Sequence, residues 1–174
     1  SVIYHSGRDK VKMMSLPEIG LKTSDTDDCF KLISSTPVTS VVDDYEMLTG
    51  KRRHCHNEAN ECTYRFENVK GLRVDLIFRV YNDGIAFRYH LPKTKEEIVV
   101  LDEYTAFAFT PGIKRWTQKF TVGYEDFYWP NTDGVADNEE REWSFPTLFQ
   151  PSDSAFVLLT EANILRDNTG AYLT

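Results

Sequence analysis

Cysteine is scarce in this chain of 174 residues: Cys29, Cys55 and Cys62 permit one disulfide at most, which excludes a cysteine-stapled miniature scaffold. Long apolar runs are missing too. No uninterrupted stretch approaches the roughly 18 to 20 apolar residues of a membrane-spanning helix, and the opening SVIYHSGRDK lacks the apolar centre of a signal peptide. The expectation is a cytosolic chain or one whose leader has been removed. Basic residues number 20 against 27 acids, and the resulting net charge of −7 argues against nucleic acid or an anionic membrane as the main partner. A sugar or a cation is not repelled. Nucleophile elbow, phosphate loop, H-E-x-x-H pair and dinucleotide fingerprint are all absent, and four scattered histidines outline no triad.

Aromatic residues are plentiful, at 13% with eleven Phe and nine Tyr, and rings pack well on pleated surfaces, so the chain is expected to be mainly β. Its length and 41% hydrophobic content suit one domain with a real core, residues 1–174. The clearest local pattern is LRVDLIFRVYNDGIAFRYHL, residues 72–91, where Leu72, Val74, Leu76, Phe78 and Val80 alternate with mostly polar neighbours. Asn82, Asp83 and Gly84 then supply turn residues, and Ile85, Phe87 and Tyr89 resume the alternation, which predicts an antiparallel hairpin. Further strands are expected at residues 2–4, 38–45, 62–67, 98–101, 106–110, 119–122, 155–160 and 171–173. Short strands separated by Gly, Pro, Asn and Asp predict an antiparallel sandwich with little helix. Both ends read as cut: SVIYHSG starts like the second half of a hairpin, and AYLT stops inside a strand pattern. A longer natural protein is expected.

Several residues invite chemistry, and each has a plainer reading beside it. Glu139 with Glu140 and Glu96 with Glu97 sit in charge runs, which are usually solvated faces, and residues 132–142 read as an acidic surface loop. His54, Cys55, His56 and Cys62 cluster in RHCHNEANEC, yet the paired C-x-x-C spacing of structural zinc is missing and a strand would turn Cys55 away from the two histidines. Asn57, Glu58 and Glu161 stand in apolar or hairpin contexts where ion pairs and turn hydrogen bonds also place acids. Trp116, Trp129 and Trp143 could form a sugar platform or simply pack in the core. In TVGYEDFYWP, an extended backbone puts Glu125 on one face with Phe127 and Trp129, and a carboxylate among rings must reach water or a partner. Read this far, the residues give an acidic antiparallel β domain with a lean toward carbohydrate.

Four segments then resemble the N-terminal domain of glycoside hydrolase family 97, enzymes of the Bacteroidetes type acting on α-glucosides or α-galactosides. They are SLPEIGLK (15–22), TGKRRHCHNEAN (49–60) with its Asn-Glu pair, FRVYNDGIAFRYHLP (78–92), and LLTEANILRDNTGAYL (158–173) with its Glu-Ala and later Tyr. They run in the family's order, although Asp167-Asn168 departs from the family's Asp-Tyr. The resemblance implies a large β-sandwich of the galactose mutarotase-like kind, truncated here, packed in the whole enzyme on a (β/α)8 catalytic barrel that this chain lacks. It further implies a periplasmic or secreted enzyme of α-linked oligosaccharides whose catalytic carboxylates lie in the barrel, leaving no catalytic residue in this chain. The domain would lend one Glu, aligned with Glu125, to a calcium ion whose other ligands come from the barrel. A freestanding carbohydrate-binding module is the alternative, and a purely structural interface domain a third reading.

Overall fold

The computed structural model describes residues 2–6, 9–24, 29–93, 97–121, 123, 127–131, 142–162, 164 and 170–174. Among them there is no helix. In chain order the strands are β1 (Val2–Ser6), β2 (Asp9–Met14), β3 (Leu21–Thr23), β4 (Lys31–Ser35), β5 (Thr39–Glu46), β6 (His54–Glu67) and β7 (Arg73–Val80). There follow β8 (Ile85–His90), β9 (Val100–Glu103), β10 (Lys114–Lys119), β11 (Trp129–Asn131), β12 (Trp143–Ser152), β13 (Ala155–Leu159) and β14 (Tyr172–Leu173). Each pairing among them is antiparallel, so the chain has the mainly β, antiparallel class that the sequence predicts. The strands fall into two compact units, Leu21–Glu103 and a second made of Ser1–Gly20 with Tyr104–Thr174.

In the unit Leu21–Glu103 the main sheet runs β4-β6-β7-β8, and β5 joins the same edge of β6 as β4. The alternation seen in residues 72–91 has its expected outcome. Val80 faces Ile85, Phe78 faces Phe87 and Leu76 faces Tyr89 across the β7–β8 hairpin, whose turn closes with the Tyr81 N–H donating to the Gly84 carbonyl at 2.8 Å. On this face Tyr64, Phe78, Phe87 and Tyr89 form a chain of ring contacts, with successive centroids 6.1, 5.8 and 6.2 Å apart, beside the buried Val74 and Leu76. The opposite face carries ion pairs: Arg65 with Asp75, Arg73 with Glu67, and Arg79 between Glu61 and Asp43. One sheet thus segregates rings and charges by the two-residue period of its strands. Between β6 and β7, buried Asn68 accepts hydrogen bonds from the Lys70 and Leu72 amides at 3.0 and 2.9 Å, while Gly71 takes φ +84° as the turn requires.

The other unit holds the β1–β2 hairpin and a sheet ordered β11-β10-β12-β13, with β14 on the β13 side of β12. β1 pairs with β2, from Val2 opposite Met14 to Ser6 opposite Asp9. Thr117, Thr147, Phe149, Ala155 and Leu159 are buried here, and Phe109 stacks on Phe149 at 3.9 Å. β2 packs against β12 and β13.

Strand positions differ from expectation in several places, and β2, β3, β4 and β11 fall where no strand was expected. The strand expected at 62–67 begins at His54, and that expected at 98–101 is β9. Residues 106–110 form only an isolated bridge, Ala108 with Ser15, and the strand expected at 119–122 lies instead at β10. The longest strand of its unit, β12, was not expected because Pro146 and Pro151 interrupt WSFPTLFQPS. The ladders accommodate Pro146: the β10 register shifts between Trp116 and Gln118, β13 pairs from Thr147 onward, and β14 pairs only Trp143 and Ser144. Neither neighbour asks Pro146 for an N–H.

Candidate functional site

Glu125 lies outside the described residues, as do Tyr124, Asp126, Glu96, Glu139, Glu140 and Asp167-Asn168. What is described around it is aromatic. Phe127 and Trp129 are 74% and 62% exposed and meet edge to face with centroids 6.0 Å apart. Trp129 pairs with Thr117 across β10–β11, while Trp116 is the neighbouring residue on β10 and points to the other face. Trp116 packs near Phe156 at 6.2 Å, and Trp143 lies under the Arg115 guanidinium at 5.5 Å. The three tryptophans therefore do not form one platform. Only Trp129, with Phe127, offers a largely open ring.

The acids singled out in the sequence are engaged in the structure. Glu161 accepts a hydrogen bond from the Ala171 amide at 2.9 Å, which ties together the two ends of the segment before β14. Asn57 donates to the Tyr45 hydroxyl at 3.4 Å, and Glu58 Oε1 lies 3.1 Å from His56 Nε2. The other ring nitrogen of His56 is 2.6 Å from Asp44, so this imidazole sits between two carboxylates. The same ribbon places His54 against Glu46 at 3.2 Å, and Arg53 3.5 Å from the second oxygen of Glu46.

Register explains the cluster. β5 and β6 pair Asp44 with His56 and Glu46 with His54, so alternate residues of DDYE and HCH share one face, with Cys55 on the other. A recess of about 310 Å³ is lined here by Asp44, Tyr45, Glu46, His54, Cys55 and His56. The Asp44 hydrogen bond, and after it that of Glu58, raises the His56 pKa above its ordinary value. The acid partners were missed in the sequence because β6 was expected to start at residue 62. Extending that strand back to RHCHNE and pairing it with 38–45 would have found them.

Cys29 is exposed, and Cys55 and Cys62 are half-buried. Among the described residues no group of three or more His, Cys, Asp or Glu side chains is placed to hold a metal ion. No helix among them is long and apolar enough to cross a membrane.

Comparison with known proteins adds what the geometry alone does not. The family model described as glycosyl-hydrolase 97 N-terminal matches residues 1–174. A protein of Streptomyces bingchenggensis (strain BCW-1) named "Probable retaining alpha-galactosidase" is 29% identical over 124 residues, 71% of this chain and 19% of its own length. Solved structures of a glycoside hydrolase family 97 enzyme from Pseudoalteromonas sp. strain K8 are similar in fold. Its E480Q form in complex with panose superposes with a TM-score of 0.63 at 20% identity, covering 86% of this chain and 23% of that one. Its complex with acarbose gives 0.63 at 19% identity, covering 89% and 26%. The chain thus spans about a fifth to a quarter of the length of these relatives.

Proposed function

Because the chain belongs to the glycosyl-hydrolase 97 N-terminal family, we propose that it serves as the non-catalytic β-sandwich of a calcium-dependent α-glycosidase, packing on a (β/α)8 catalytic barrel and lending it Glu125. The match over residues 1–174 carries this reading. Glycoside hydrolysis needs a pair of carboxylates flanking the scissile bond, and the reading puts that pair in the barrel, so residues 1–174 alone turn over no substrate. Calcium takes six to eight oxygen ligands. On this reading the chain's share is the one carboxylate of Glu125, and the work of this domain is to hold that carboxylate at the domain face. The protein is exported, to the periplasm or beyond, where α-linked oligosaccharides are met.

The test compares residues 1–174 with the complete natural polypeptide on aryl α-glucosides and aryl α-galactosides, with calcium or with a chelator. Hydrolysis by the complete polypeptide only, abolished by chelation and by Glu125→Gln, is the expected result and identifies the sugar. An inert complete polypeptide defeats the reading. Calcium dependence that survives Glu125→Gln leaves the domain a purely structural role.

One observation favours a second reading. Phe127 and Trp129 expose ring area of the kind that covers the apolar face of a pyranose. A freestanding carbohydrate-binding module would bind oligosaccharide saturably as residues 1–174, with binding lost in Trp129→Ala.

A further inference from the structure

The outer half of the β5–β6 ribbon has unusual support for a strand pair. β7 pairs with β6 only over residues 60–67, and β4 only over 64–67, so among the described residues β6 from 54 to 59 pairs with β5 alone. A two-stranded ribbon is marginal in water unless something covers it. Its tip, residues 47–53, is stranger still. Leu48 is 102% exposed and Met47 46%, beside a recess of about 230 Å³ lined by Glu46, Met47, Leu48, Thr49, Gly50, Arg52 and Arg53. Gly50 takes φ +110°, so the tip is a built turn. Lys51, Arg52 and Arg53 follow it, three bases in a chain of net charge −7. Arg53 is tied to Glu46, whereas Lys51 and Arg52 are exposed and have no ion pair among the described residues.

We propose that this tip is a docking element that seats Leu48 in an apolar socket rimmed by carboxylates on the catalytic portion of the same polypeptide. The proposal rests on the reading of the chain as the N-terminal domain of a longer glycosidase. An apolar residue presented at the end of a projecting ribbon, ringed by charge opposite to that of its own domain, fits an acidic surface with a hydrophobic centre. Two copies, each of net charge −7, repel one another at long range, which disfavours a second copy as the occupant.

The experiment is zero-length carbodiimide coupling of the complete natural polypeptide at high dilution, with cross-links read by mass spectrometry and aryl glycoside hydrolysis measured on the same preparation. The expected product joins Lys51 to an Asp or Glu outside residues 1–174. Leu48→Asp and, separately, Arg52→Glu each lower its yield by about fivefold or more, the scale of losing an interface anchor. Both positions are solvent-exposed, so neither change disturbs a buried core residue. Coupling of Lys51 only to acids within residues 1–174, or none, overturns the proposal even if the polypeptide hydrolyses glycosides. Links between two copies overturn it in favour of self-association. Absence of hydrolysis with the expected cross-link in place defeats the glycosidase reading and leaves the docking tip standing.

Discussion

A carboxylate with 6% of its surface exposed needs a partner to stay charged, and Asp75 receives hydrogen bonds from Arg65 Nε at 2.8 Å and Nη2 at 3.2 Å, with His90 3.8 Å away. Arg65 foremost therefore depresses the Asp75 pKa, against the opposing effect of burial. The Arg65 side chain is 43% exposed, so water screens the pair. Asp75→Asn is expected to cost about 1 to 2 kcal/mol, toward the lower end for a hydrogen-bonded charge, measured by urea unfolding near neutral pH. The sign with pH follows. The contribution is complete above the ordinary carboxylate pKa of about 3.9 and is lost as pH falls through the lower folded-state value, so mutant and wild type converge in acid. Two buried threonines make a sharper contrast. Thr147 Oγ1 donates to the Ser144 carbonyl at 2.9 Å, whereas the equally buried Thr117 Oγ1 finds no partner among the described residues. Thr147→Val should lose about 1 kcal/mol, and Thr117→Val, which removes a desolvated hydroxyl at constant shape, should be neutral or gain up to about 1 kcal/mol. Equal losses for both would refute the assignment of their hydrogen bonds.

Strands were legible where the two-residue period was clean, as in β7 and β8, because Leu76, Phe78 and Val80 face the rings or aliphatic chains of Tyr89, Phe87 and Ile85 and most of the intervening residues are polar. They were illegible where another constraint masked the period. In β12 two prolines did so, and in the first half of β6 the residues on both faces are polar, since that stretch supports a ribbon and buries little beyond Ala59. The same polarity makes the ribbon sensitive to pH. Its exposed face sets His54, His56 and Arg53 against Asp44, Glu46 and Glu58. His56 has a raised pKa, so its stabilisation is complete below the ordinary histidine value of about 6.5 and disappears as pH rises through the folded-state value, when three carboxylates are left closer to mutual repulsion. Hydrogen-exchange protection of the ribbon amides, corrected for intrinsic rates, should therefore fall as pH rises above the ordinary histidine value of about 6.5. His56→Gln should flatten that dependence. A flat profile in the wild type would mean that the backbone ladder holds the ribbon without the ion pairs.

The sequence suggested one domain over residues 1–174, and its one named candidate site residue, Glu125, came from family resemblance, since no spacing rule in the residues singles it out. The two units could not be read from the sequence for a related reason: one of them is assembled from both ends of the chain, and local periodicity carries no information about which distant strands will meet. Their separate sheets have a consequence for cooperativity. The buried, ion-paired carboxylate of Leu21–Glu103 is Asp75, held by Arg65, while the buried centre of the other unit is Thr147, Phe149 and Leu159 on β12 and β13. If contacts within a unit set its opening free energy, Asp75→Asn should speed amide exchange in β4 to β8 under mild urea and leave β10, β12 and β13 unchanged, with Thr147→Val doing the reverse. Exchange-coupled mass spectrometry of the two variants reads this directly. Acceleration spread evenly over all strands would show that the units open together, and the single domain expected from length and composition would then be the correct cooperative unit.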